Sequence, residues 1–93
     1  MSTESTQVIQ RGYKNDLMWQ KHLDQFVPDE QKVLLALSHV RYRWRSRDRL
    51  LEVTGLAPST LDAALAKLLS QDIVRPAFSK GKKIIFGLRE RVG

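Results

Sequence analysis

Apolar side chains fall at helical spacing through the early part of the chain, switch to strict alternation, return to helical spacing and close on two β-rich runs. Leu17, Met18, Leu23 and Phe26, with His22 among them, recur at three- and four-residue intervals, which predicts a helix with one covered face. Asn15 or Asp16 is its capping candidate, and Pro28 ends the segment. Asp29 is the next cap candidate, Glu30 suits a first turn, and Val33, Leu34, Leu37 and Val40 form the stripe of a second helix over residues 30–40. Residues 41–45, Arg-Tyr-Arg-Trp-Arg, alternate strictly. A strand there places Tyr42 and Trp44 on one face, expected to be the core face, with the guanidinium groups of Arg41, Arg43 and Arg45 on the other.

Ser46 then caps a brief helix over residues 47–54, and Gly55 supplies the left-handed residue that commonly ends one. After a tight turn at residues 55–57, Pro58 opens a further helix, where its missing N–H costs nothing. Leu61, Leu65, Leu68 and Leu69 give that helix a buried face, and it ends near Gln71. Residues 73–78 and 83–89 read as two strands separated by Ser79-Lys80-Gly81-Lys82, a hairpin signal in which Gly81 permits positive φ; Pro76 puts its strand at an edge. No helix is expected after Arg89. The fold class that follows is α+β, mostly α, with residues 1–14 as a flexible tail and residues 15–93 as one domain.

Ninety-three residues support one core. A chain of this size buries only about 60–65% of its unfolded surface. The absence of cysteine removes disulfides and thiolate zinc sites and fits a reducing, cytoplasmic compartment. The longest strictly apolar run, residues 33–37, falls far short of a bilayer span, so no membrane partner is expected. Residues 1–10 carry one acid and no base, unlike a secretory signal. The formal charge of +6 raises the expectation of a polyanionic partner, and its distribution sharpens it. Five of the nine arginines, Arg41, Arg43, Arg45, Arg47 and Arg49, and three of the seven lysines, Lys80, Lys82 and Lys83, form two patches. Arg47 and Arg49 stand in the first two turns of a helix, where the dipole disfavours cations, so an anionic partner such as phosphate is expected to offset the cost.

The most specific motif joins Thr54-Gly55-Leu56, Pro58-Ser59-Thr60 and the closing pair Ile73-Val74. Over residues 29–89 it resembles the winged-helix regulators of the MarR type. The resemblance implies a winged helix-turn-helix with an extra N-terminal helix, its helix-turn-helix over residues 46–71 and a C-terminal β-hairpin wing over residues 73–89. It further implies double-stranded DNA as partner, a transcriptional regulator or DNA-associated accessory factor as function, and a recognition helix starting at Pro58. Leucines facing inward turn Ser59, Ala63, Ala66, Lys67 and Ser70 outward, a narrow face that suits close approach to base edges. The hydroxyls and N–H groups of Ser59 and Thr60 suit phosphate at the helix start. The expected DNA-binding set is therefore Pro58, Ser59, Thr60, Ala63 and Lys67, with Arg43, Arg45, Arg47 and Arg49 on the flanking backbone and Lys80, Lys82 and Lys83 on the wing. The chain departs from the family where a polar residue and an arginine are common, having Asp62 and Ala63. No guanidinium stands there for guanine, and Asp62 suits the helix dipole or cytosine N4.

Leu17, Trp19, Leu23 and Phe26 either complete the core or form a seam between two copies. The small-residue face of Ala63, Ala66 and Ser70 equally suits a protein partner, and Tyr42 and Trp44 suit stacking on single-stranded nucleic acid. His22 and His39, seventeen residues apart with no phosphate loop or nucleophile elbow, give no catalytic or metal constellation. His39 is expected to complement the C-terminal dipole of the second helix. No cofactor is expected, and a chain this short leaves little space for a ligand cavity of about 300 Å³ or more.

Overall fold

The computed structural model describes residues 12–93, so residues 1–11 of the expected tail lie outside the described residues. The expected tail boundary at residue 14 moves forward, because Tyr13 forms an antiparallel bridge with His39. Lys14 N–H donates to the Ser38 carbonyl at 2.8 Å and Val40 N–H to the Gly12 carbonyl at 2.9 Å. Met18–Gln25 follows as a 3₁₀ segment in place of the expected α-helix, and its backbone breaks at His22 (φ −132°, ψ 42°). Neither Asn15 nor Asp16 caps it. Leu17 holds that position, its N–H donating to Gln20 Oε1 at 2.9 Å, while the distant Glu90 carboxylate accepts from the N–H groups of Met18 (2.7 Å) and Trp19 (3.3 Å). The tighter winding also turns the face. Leu17, Trp19 and Phe26 enter the core, whereas Met18, His22 and Leu23 stay at the surface. Trp19 Nε1 donates to Ser38 Oγ at 2.9 Å, and that hydroxyl donates to the Leu34 carbonyl at 2.7 Å, so both buried polar groups are satisfied.

Helix α1 (Pro28–Ala36) starts earlier and ends sooner than its apolar stripe predicts. Pro28 opens it instead of terminating its predecessor. Val27, not Asp29, is the N-cap, and the Glu30 carboxylate reaches back to accept from Val27 N–H at 3.1 Å. Val33, Leu34 and Leu37 are fully buried, but Val40 lies past the helix end and is exposed. Helix α2 (Arg47–Thr54) is capped by Ser46 Oγ, which accepts from Arg49 N–H at 3.2 Å, and closes on Gly55 at φ 70° as expected. Three residues later Pro58 opens α3 (Pro58–Ser70), whose Leu61, Ala64, Leu65 and Leu68 are buried in the core shared with α1 and α2. Its end is a Schellman motif: Ile73 N–H donates to the Leu68 carbonyl and Asp72 N–H to the Leu69 carbonyl, both at 3.0 Å, with Asp72 left-handed at φ 59°.

Strands β1 (Trp44–Ser46), β2 (Val74–Phe78) and β3 (Ile84–Leu88) form one antiparallel sheet in the order β1-β3-β2. The first strand thus pairs with the last, and β2 with Pro76 occupies an edge, as expected. Val74 and Leu88 are opposite each other and buried, and close the core against the helices. Gly87 sits where a Cβ would meet the Arg43 carbonyl oxygen at 2.8 Å and Trp44 Cε3 at 3.0 Å, so β1 lies too close for any larger residue. At the β2–β3 turn the left-handed residue is Lys82 (φ 64°), not Gly81. Arg89–Val92 forms a one-turn helix, α4, where none was expected. The whole is α+β, and no described helix is long and apolar enough to cross a membrane.

Candidate nucleic-acid interface

The outward face of α3 keeps the composition its leucine spacing predicts. Pro58, Ser59, Ala63, Ala66, Lys67 and Ser70 are exposed, and Thr60 is half-buried. Ala57, the N-cap, offers no side-chain acceptor, so the first-turn N–H groups of α3 have no capping group. The charges on this face, however, are engaged. Asp62 accepts a forked pair from Arg47, Nε to Oδ1 at 2.8 Å and Nη2 to Oδ2 at 3.0 Å. That hydrogen bonding holds the Asp62 carboxyl below the usual carboxylate range and raises Arg47. Lys67 reaches the buried Glu30 carboxylate on α1, Nζ to Oε2 at 3.5 Å.

The arginine run divides into three kinds of residue. Arg45 is buried at 9% exposure, its Nε donating to the Ala36 carbonyl at 2.8 Å and its guanidinium lying 5.1 Å from the Tyr42 ring centre. This departs from the strand expected over residues 41–45: only Trp44–Ser46 is strand, Arg41, Tyr42 (51% exposed), Arg43 and Trp44 (36%) are all exposed, and Arg45 alone of that run points in. The cause is at the end of α1, whose terminal carbonyls lack intrahelical donors. Arg45 satisfies Ala36, and Arg91 Nη1 satisfies Leu37 at 2.9 Å and His39 at 2.8 Å. Burial, then the neighbouring Arg43, lowers the Arg91 guanidinium.

Arg47 and Arg49 form the second kind. Each finds a carboxylate within the chain, Asp62 for Arg47 and Glu52 at 2.8 Å for Arg49, so their place near a helix start does not require an outside anion. Arg41 and Arg43 form the third: exposed, with no ion pair among the described residues. The same holds for Lys80, Lys82 and Lys83 at the hairpin tip. Of the expected contact residues, Arg43, Lys80, Lys82, Lys83, Pro58, Ser59 and Ala63 therefore stand open to a ligand. Arg45 is removed from the surface, and Arg47, Arg49 and Lys67 are neutralised within the chain. Arg41 belongs with the open cations, being exposed and without an ion pair among the described residues, like Arg43.

His39 is not at a helix terminus, because α1 stops at Ala36. It packs between Tyr13, at 5.1 Å edge-on, and Tyr42, at 4.9 Å, and its Nδ1 accepts from Arg41 N–H at 3.1 Å. Desolvation, followed by Arg45, Arg41 and Arg91, pushes its pKa below the ordinary imidazole value. Of the four residues of the expected dimer seam, Leu17, Trp19 and Phe26 are buried within the single chain, and Leu23 remains exposed.

Three open grooves exceed the space expected of so short a chain. One of about 390 Å³ lies between Tyr42, Trp44, Ser46 and Arg49, and the others, of about 460 and 510 Å³, flank Trp19. Among the described residues no three His, Cys, Asp or Glu side chains lie together as a metal site. The chain matches no family model, no curated protein and no solved structure.

Proposed function

We propose that the chain is a winged-helix module that binds double-stranded DNA, with α3 presented to the major groove and the β2–β3 hairpin lying along the flanking backbone. The element order supports it: helix, short strand, helix, three-residue turn, helix and hairpin, with the short strand paired to the last one. The observation that carries the proposal is the pairing of an uncovered small-residue face on α3 with an adjacent hairpin whose three lysines have no carboxylate among the described residues. A major groove about 12 Å wide admits a helix, and small side chains shorten the distance to base edges. Arg41, Arg43, Lys80, Lys82 and Lys83 supply phosphate neutralisation. Arg45 acts from below as a positioning residue that fixes β1.

The test is fluorescence anisotropy of a labelled random duplex across a salt series, with the matched single strand as control. Five phosphate contacts give a slope of about −4.5 in log affinity against log salt. Replacing the three lysines with alanine should flatten it by about 2.7. Salt-independent or absent duplex binding counts against the proposal.

A single strand is the second candidate ligand, favoured by one observation: Tyr42 and Trp44 face outward beside Arg49, around the groove of about 390 Å³. Stacked bases would quench Trp44. Tighter binding of the control strand, lost in Tyr42→Ala, would favour it over the duplex.

A further inference from the structure

The tip of the hairpin carries an apolar pair that the core does not use. Phe78 and Ile84 are cross-strand partners, the last pair before the turn. By the two-residue repeat of a strand they share a face with Val74 and Leu88 and with Pro76 and Phe86. The inner pair, Val74 and Leu88, is sealed in the core, yet Phe78 is 74% exposed and Ile84 50%. The strands thus run on past the body of the protein and hold two large apolar side chains in water. Isolated exposed apolar residues need no explanation, but here the two are adjacent, held by a rigid ladder and followed by the loop of Lys80, Lys82 and Lys83.

Charge selects the occupant. From residue 73 to residue 89 the chain has no carboxylate, so a tip with an apolar point and three ammonium groups complements a polyanion that also offers an apolar interior. A DNA duplex has both, as phosphates outside and stacked bases within. Apolar side chains that enter the minor groove part a base step and kink the helix by about 20–90°.

We infer that Phe78, backed by Ile84, is a wedge that enters a base step of bound duplex DNA while the hairpin lysines hold the phosphates on either side. The inference rests on the duplex-binding proposal. It makes the protein a DNA-bending factor, with a preference for steps that unstack easily, such as TA, or for a mismatch.

Its test separates the two. Energy transfer between dyes at the ends of a duplex of about 25 bp reports bending, and 2-aminopurine placed at a TA step reports unstacking. The full chain should raise both signals. Phe78→Ser and the double variant Phe78→Ser with Ile84→Thr, both at exposed positions and checked for native circular dichroism, should abolish both signals at protein concentrations that saturate the duplex. Phe78→Leu should restore part of each. If the wild-type chain binds duplex and Phe78→Ser leaves bending and 2-aminopurine unchanged, the wedge is wrong and duplex binding stands. If the chain binds no duplex, both fall. Binding to anionic lipid vesicles that Phe78→Ser abolishes, in the absence of any DNA bending, would also overturn the wedge and assign the tip to a membrane surface.

Discussion

Arg47 on α2 and Asp62 on α3 are joined by a two-pronged hydrogen bond, at 2.8 and 3.0 Å, that fixes the start of one helix to the early turns of the next. The pair lies on the surface proposed to meet DNA, where Asp62 repels phosphate and occupies a guanidinium that would otherwise bind it. Asp62→Asn should therefore strengthen duplex binding and steepen its salt dependence by about 0.9 log unit, one added phosphate contact. Both side chains are solvent-exposed, so the stability change should be small. An unchanged salt slope would remove this face from the interface. The Asp62 carboxyl is held low by the Arg47 hydrogen bond. The pair's contribution is thus complete above the ordinary carboxylate range and disappears only as acid titrates Asp62 through its lowered value.

Lys67 has a structural partner that complicates its use as a DNA probe. It faces Glu30, which is buried and also accepts the Val27 N–H. Lys67→Ala leaves a buried carboxylate without its cation and should cost about 1–2 kcal/mol in urea unfolding. In a Glu30→Gln background, which keeps the acceptor for Val27, the same change should cost markedly less. Glu30→Gln also frees the lysine, so duplex affinity should rise. Equal costs of Lys67→Ala in both backgrounds would show that the ion pair contributes nothing.

The order of Gly81 and Lys82 is the reverse of what the turn geometry favours. Ser79 and Lys83 close the loop through Ser79 N–H to the Lys83 carbonyl at 2.9 Å, and the left-handed position falls on Lys82 at φ 64°. A side chain with a Cβ there costs about 1–2 kcal/mol relative to glycine. The exchanged variant, Gly81→Lys with Lys82→Gly, keeps the charge and should be more stable by about 0.5–1 kcal/mol, with duplex affinity altered less than twofold. A fall in melting temperature would show that Lys82 makes a stabilising contact that outweighs the strain.

How much of this was legible in the sequence depends on whether local chemistry or a distant partner decided each feature. The Ser46 cap, Gly55 stop, Pro58 start and leucine face of α3 are local rules, and all hold. The α+β class and the edge position of Pro76 follow from the same patterns. The outward placement of Tyr42 and Trp44 and the burial of Arg45 were not legible, because the alternating run is strand only over Trp44–Ser46 and alternation does not say which face is inward. The choice was made by the Ala36 carbonyl nine residues away and by Arg91 across the fold. The 3₁₀ segment escaped for a similar reason: its start is held by Glu90, more than seventy residues on. In the site, exposure of the α3 face could be read from leucine spacing, but the partners of Arg47 and Lys67 could not, since both lie on other elements. Phe78 and Ile84 read as ordinary strand residues until the register put them beyond the core.

His39 links acidity to the stability of the β1 approach. Desolvation lowers its pKa first, and Arg45, Arg41 and Arg91 lower it further, so its protonated form is disfavoured in the fold relative to the unfolded chain. Between the unfolded value, about 6.5, and the lower folded one, the unfolded state binds more protons. The stabilisation is therefore present above about pH 6.5 and is lost as pH falls through the folded pKa. Melting temperature should drop as pH falls from 7 toward 5, and His39→Asn should flatten that part of the curve. Phosphate brought to Arg41 would relieve part of the repulsion, so bound duplex should raise the His39 pKa, seen as an upward shift of its imidazole NMR titration. A titration unmoved by duplex would place the DNA away from this strand and leave the hairpin and α3 as the contacting surfaces.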